Sequence, residues 1–165
     1  MNYRNDARIV AKKLLGKYLV RRVNGKVRSY KIVETEAYLG AEDLASHARH
    51  GLTKRNAPMH GPAGHWYVYF TYGMHYMLNM VTGKNGEPSA VLIRGVGDIS
   101  GPARLTKALK IGKRFNGKPA TKASGLWIED RGEKINPRSI KKTPRIGVAY
   151  AGKWAKKPFR FLMLG

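Results

Sequence analysis

The chain has 165 residues, no cysteine, and 32 Lys plus Arg against 10 Asp plus Glu, for a formal charge of +22. Its 42% hydrophobic and 10% aromatic residues are enough for a packed core, which excludes a disordered basic tail. The lack of cysteine excludes disulfides, thiolate metal sites and the zinc-deaminase pattern.

Such a charge seeks polyanions, either nucleic acid or an anionic membrane surface. Lys and Arg run from Arg4 to Arg160 instead of lining one amphipathic helix, so nucleic acid is favoured and no membrane partner is expected. Met1 to Gly16 lacks the uninterrupted apolar run of a secretory signal, and Asp6 suits an organelle presequence poorly. The apolar run from Trp66 to Val81 is broken by Thr71, Gly73, His75 and Asn79 and is shorter than the roughly 20 residues of a membrane span. The expected location is intracellular.

In chain order, Asp6 is placed to cap a helix whose Ala7, Val10, Ala11 and Leu14 share one face and which Gly16 ends. Tyr18 to Val23 and Lys26 to Tyr38 flank Asn24-Gly25, the signature of a tight hairpin. Period two then puts Tyr30, Ile32, Glu34, Glu36 and Tyr38 on one face unless a bulge changes the parity. Ala41 to His50 reads as a short helix or irregular turn, and Gly51 to Gly64 as a Pro/Gly-punctuated loop of a size that is often functional. Trp66 to Tyr72 and His75 to Val81 form a second hairpin that sets Tyr72 at the turn, and Ala90 to Arg94 adds a strand. Ser100-Gly101-Pro102 starts a helix with Leu105, Ala108 and Leu109 buried and Gly112 at its end, while Arg104, Lys107 and Lys110 point elsewhere. Lys113 to Ala123 reads as a basic surface loop, and Leu126 to Glu129, Ile146 to Ala149 and Phe159 to Leu164 as closing strands. With no repeat and no linker, residues 1–165 are expected to form a single compact α+β domain with a mainly antiparallel curved sheet and a few helices.

Four of the 10 acidic residues, Glu34, Glu36, Glu42 and Asp43, fall in one short stretch. A carboxylate repels phosphate, so acids clustered in so basic a chain point to chemistry more than to affinity. A glutamate there can hold a water for attack on an electron-poor centre; equally, it can be a strand carboxylate paired with Lys or Arg. Both Glu34 and Glu36 stand as candidates. Arg94 ends an apolar strand, where a buried guanidinium needs a carboxylate partner; Glu36 is a candidate for it, and the plain alternative is a structural ion pair. All 5 histidines lie between His47 and His75, and with Glu42 and Asp43 they suggest a metal site. No pair has the helix-borne zincin spacing, so hydrogen-bonded or surface histidine is the expectation, with no metal. Tyr67, Tyr69, Phe70 and Tyr76 are expected mostly in the core, whereas an aromatic at the Tyr72 turn can stack on a base or wedge between base pairs.

Ile32-Val33-Glu34-Thr35-Glu36-Ala37-Tyr38-Leu39-Gly40, Ser46-His47-Ala48, Arg55-Asn56, Tyr67-Val68-Tyr69-Phe70-Thr71-Tyr72-Gly73-Met74, Leu92-Ile93-Arg94, Arg145-Ile146-Gly147-Val148 and Lys157-Pro158-Phe159-Arg160-Phe161 occur in that order. Together they span nearly the whole chain, which resembles the alkyladenine (3-methyladenine) DNA glycosylase family. The resemblance implies a monofunctional enzyme without cofactor that flips damaged purines from double-stranded DNA and hydrolyses their N-glycosidic bond. The purines are of the 3-methyladenine, 7-methylguanine, hypoxanthine and ethenoadenine class. It matches Glu36, not Glu34, to the water-activating residue, and Arg94 and the main-chain carbonyl of Ile146 to groups that help hold the water. Tyr38 matches one side of the base sandwich and His47 with Tyr69 the other. Asn79 matches the residue that crowds the 2-amino group of guanine, and Tyr72 the side chain that fills the gap in the duplex. Arg104 and Lys107 are the expected further DNA contacts. The chain departs from the family pattern between Arg94 and Ser100, where many relatives carry a longer arginine-containing helical segment, and at Ala103-Arg104, where Gly-Lys is usual. A monomer in the cytoplasm or a DNA-containing compartment is expected. The rival readings are a non-enzymatic RNA-associated domain and a metal-dependent nuclease.

Overall fold

A computed structural model describes residues 1–71 and 73–165; Tyr72, expected at the second hairpin turn, lies outside the described residues. Helix α1 (Ala7–Leu14) begins at Asp6, whose carboxylate accepts the Arg8 amide, and buries Ala7, Val10, Ala11 and Leu14 as the spacing predicts. Each large apolar side chain buried on that face contributes roughly 1.5–3 kcal/mol. Strands β1 (Tyr18–Val23) and β2 (Lys26–Tyr38) are joined through Asn24 and Gly25 at φ 49° and 75°, the left-handed pair that a two-residue turn requires.

The second hairpin is β3 (Trp66–Thr71) with β4 (His75–Thr82), followed by β5 (Ser89–Val96) and the short β6 (Ile99–Ser100). Helix α2 (Pro102–Ala108) then precedes β7 (Leu126–Glu129), β8 (Ile140–Thr143) and β9 (Arg160–Met163). The main path of the sheet is β3-β4-β5-β2-β1-β7, with β6 added to β5 and β9 paired with both β2 and β8. The described strand pairs are antiparallel, and with the two α-helices they form an α+β fold. No described helix is long and apolar enough to cross a membrane.

The middle of β2 decides the site. Against β5 its register shifts between Ile32 and Glu34 and again between Glu34 and Thr35. Tyr30 and Ile32 pack in the main core, but beyond the shift Ala37 takes the core side, and Thr35 is buried with its hydroxyl donating to Ala11 O of α1 at 3.0 Å. Glu34, Glu36 and Tyr38 therefore share a face that does not continue from Tyr30 and Ile32, because one extra residue in a strand reverses its parity.

Four expectations need correction. Ile146 to Ala149 is not a strand: Gly147 turns at φ 75°, a 3-10 segment starts at Ala149, and Ile146 is 49% exposed. The strand in this region is β8, and an Ile146 N–H committed to a side chain cannot serve a ladder. Ala108 is exposed; the buried face of α2 is Pro102, Leu105 and Thr106, with Leu109 beyond, because the Thr106 hydroxyl donates to Tyr76 O at 2.8 Å. That helix ends at Ala108 and is capped at Leu109, before Gly112, with Lys110 turning at φ 51° and the Ile111 N–H closing back on Thr106 O. Nor is Lys113 to Ala123 wholly a surface loop, since Phe115 is buried in the core and Lys118 O accepts the Trp66 amide.

Candidate active site

Glu36 is fully buried in the central strand β2, a position that a carboxylate tolerates only when its lone pairs are met. Oε1 accepts the Ile146 amide at 2.8 Å, Oε2 accepts the Tyr38 hydroxyl at 2.7 Å, and Arg94 Nε lies 3.6 Å from Oε1. Burial raises the Glu36 pKa above the ordinary carboxylate value; the Arg94 charge and the two hydrogen bonds oppose that rise without cancelling it. Tyr38, Arg94 and Ile146, the three owners of those donors, line a cavity of about 970 Å³ together with His47, Tyr69 and Asn79.

Arg94 does not take Glu36 as its closest carboxylate. Its Nε donates to Glu34 Oε1 at 3.1 Å, and Arg160 Nε donates to the same oxygen at 2.6 Å. Glu34 is thus the strand carboxylate held by arginines, while Glu36 carries fewer and weaker charge contacts. The register of β9 on β2, which sets Arg160 opposite Glu36, had no local signal in the sequence.

His47 and Tyr69 pack against each other in the cavity lining, with ring centroids 4.5 Å apart. The His47 Nδ1 lies 3.0 Å from the Tyr67 hydroxyl, and burial, reinforced by Arg55 and Arg49, lowers its pKa to about 4. The ring is therefore neutral at physiological pH. Arg55 lies over the Tyr69 ring at 5.2 Å. Asn79, on β4, is buried and donates to Tyr67 O at 3.2 Å. Of the aromatics expected in the core, Tyr67 is buried, but Phe70 is 49% exposed.

The acidic stretch divides into separate roles. Glu42 is exposed, whereas Asp43 forms a two-pronged ion pair with Arg145 at 2.6 and 2.9 Å, both side chains fully buried. Asp43 also accepts the Leu39 and Ala45 amides, and Arg145 donates to Ala37 O, so the pair ties the end of β2 to the segment that carries Ile146. The Arg145 guanidinium lies 4.8 Å from the Tyr38 ring centre. Sequence reasoning passed over this pair, whose members are 102 positions apart. Among the described residues no three His, Cys, Asp or Glu side chains come together in a metal-holding group. Arg104 and Lys107 stand exposed on α2, whose Pro102 and Ala103 form part of the cavity wall.

The family model of methylpurine-DNA glycosylase matches residues 1–100 and 98–165. A protein of Anaeromyxobacter sp. (strain Fw109-5) is 44% identical over 171 residues, covering 99% of this chain and 87% of its own length. One of Legionella pneumophila (strain Corby) is 45% identical over 166 residues, covering 96% and 90%. One of Carboxydothermus hydrogenoformans is 46% identical over 180 residues, covering 98% and 92%. All three are provisionally named 3-methyladenine DNA glycosylases. A match that runs from end to end, over the strand that carries Glu36 and the segment that reaches it from Ile146, means that the chain belongs to the methylpurine-DNA glycosylase family.

Proposed function

We propose that residues 1–165 act as one domain, and as a monomer, to turn an alkylated or deaminated purine out of duplex DNA and hydrolyse its N-glycosidic bond. The observation that carries this reading is the placement of Glu36: a buried carboxylate with a raised pKa, whose three donor partners all line one cavity large enough for a base.

In this mechanism the base enters between Tyr38 and the His47–Tyr69 wall. Neutral His47 suits a cationic base such as 3-methyladenine, because an imidazolium would repel it. Asn79 crowds the 2-amino group that distinguishes normal guanine. Arg94 and the Ile146 carbonyl hold a water, and Glu36 accepts its proton as the water oxygen bonds to the sugar C1′. The C1′–N bond breaks with its electron pair passing to the purine. The ionised carboxylate also offsets the positive charge that develops on the sugar. A cationic purine leaves neutral without acid assistance, whereas hypoxanthine needs protonation or strong hydrogen bonding.

Incubation with duplexes that carry hypoxanthine, ethenoadenine or an alkylated purine tests the reading. Free base and alkali-labile abasic sites are expected, with no strand break before alkali. Tight binding without base release would return the protein to the class of non-enzymatic binders.

A pH profile tests the role of Tyr38. Protonated Glu36 cannot accept a proton, so base release should fall with pH as it passes below the raised Glu36 pKa. Removing the Tyr38 hydroxyl takes away a hydrogen bond that favours the ionised form. Tyr38→Phe should therefore shift the acid limb of the single-turnover rate to higher pH; an unmoved limb would separate Tyr38 from the carboxylate.

A further inference from the structure

A second concavity, of about 290 Å³, lies between the first hairpin and the end of α2, and its wall includes Arg21, Lys26, Arg28 and Lys110 with Tyr30 and Leu109. Four cations line it, no carboxylate does, and none of the four forms an ion pair with a described acidic side chain. Arg21 and Arg28 sit directly opposite each other on β1 and β2, a like-charge cross-strand pair that destabilises a sheet.

Arg21 is only 3% exposed. Its guanidinium donates to main-chain oxygens: Nε to Leu109 O at 2.9 Å, Nη2 to Lys110 O at 3.1 Å, and Nη1 to Arg22 O. These bonds satisfy the N–H groups and cover the carbonyl end of α2, but they supply no counter-charge. Arg114 adds to the imbalance: it and Arg21 each lie 4.7 Å from the centre of the Phe115 ring. Burial, and then the Arg114 charge, lower the Arg21 pKa. Folding thus leaves a buried guanidinium facing other cations, an arrangement that a bound anion would relieve.

The concavity connects to the candidate active site through α2. Pro102 and Ala103 form part of the catalytic cavity wall, Arg104 and Lys107 stand exposed along the helix, and Leu109 and Lys110 line the cationic groove. The seven residue steps from Ala103 to Lys110 cover about 10 Å at 1.5 Å per residue. Phosphates of one DNA strand rise about 3.4 Å each, so that distance spans roughly three nucleotides. We infer that this groove holds backbone phosphates of the duplex flank, on one side of the lesion and about three nucleotides from it. The inference rests on the reading of the 970 Å³ cavity as the site of the flipped base.

The test uses the full chain with Lys26→Ala and Arg28→Ala combined, both side chains being exposed and outside the catalytic cavity. Each lost phosphate contact should lower the magnitude of the slope of log affinity against log salt by about 0.9. Between about 50 and 200 mM salt the double variant should therefore lose about twelvefold less affinity than the unaltered protein. Its single-turnover base release and Tm should not fall. A control with Lys141→Ala and Lys142→Ala, which removes two exposed charges from β8, should leave the slope unchanged. Shortening one flank of the duplex to two base pairs should abolish the difference between double variant and parent, while shortening the other flank should preserve it. An unchanged slope in the groove variant, an equal change in the β8 control, or no dependence on which flank is cut would each overturn the inference. Stabilisation by pyrophosphate alone, with no change in the DNA slope, would assign the groove to a small anion and overturn it too. The slope is also read on undamaged duplex, so it judges the groove even if base release, and with it the proposed activity, were to fail.

Discussion

Glu36→Gln is expected to keep the fold and lesion-DNA binding and to lose base release by about 10²–10⁴-fold, the usual contribution of a positioned general base. The amide oxygen can still accept the Ile146 N–H, but the side chain can neither take a proton from water nor oppose positive charge on the sugar. Stability should not fall. The folded-state pKa of Glu36 is raised above its unfolded value, so the native state holds its proton more tightly and its ionised form opposes folding. That term costs stability as pH rises from the unfolded value of 4.5 through the raised folded one, and a neutral amide removes it. The expected melting curve is as stable as the parent's or more so, the pattern of a site that gives up stability for activity. Glu34→Gln should do the reverse: its loss weakens the anchoring of Arg94 and Arg160, so stability drops while the rate falls much less. Single-turnover base release and Tm on the two variants separate these outcomes, and equal rate losses would sink the assignment of Glu36 as the base.

Arg145→Met should produce the largest loss of stability. It leaves the Asp43 carboxylate fully buried without its cation and also removes donors from Ala37 O and Trp154 O. Breaking such a pair from one side costs about 3–5 kcal/mol, since the remaining charge keeps its desolvation penalty and loses its compensation. For a chain of this length that corresponds to a Tm lower by roughly 10 °C. Base release should fall as well, because the same guanidinium precedes Ile146 and packs at the Tyr38 ring, so its loss loosens two of the three contacts on Glu36. A Tm within a few degrees of the parent would show that water or a shifted side chain replaces the pair.

These two expectations differ in how far the sequence could lead to them. The first hairpin was legible from Asn24-Gly25 and helix α1 from Asp6 and its apolar spacing, because a turn's backbone sign and a helix's buried stripe are set by neighbours within a few residues. The excess of cations likewise pointed to a polyanionic partner without any coordinates. The family resemblance brought Glu36, Tyr38, His47, Tyr69, Asn79, Arg94 and Ile146 together by their order in the chain. Their lining of one cavity, or burial against it for Glu36, emerged only from the fold.

Tertiary structure alone decided how the charges are shared. Parity along β2 breaks at a bulge whose position depends on pairing with β5, so alternation by itself could not divide Tyr30 and Ile32 from Glu34 and Glu36. Arg94 was read as a partner for Glu36 but lies nearer Glu34, a carboxylate that also takes Arg160 of β9, 126 positions away in the chain. Asp43 looked like one more chemical acid beside Glu42, yet it is the buried partner of Arg145. Ile146 read as strand because its neighbours are apolar, whereas a left-handed Gly147 and a carboxylate waiting for its N–H hold it in a turn. Propensity and spacing act over a few residues; the partner of a buried charge is whichever opposite charge the folded backbone brings within a few ångströms, and that depends on the whole path of the chain.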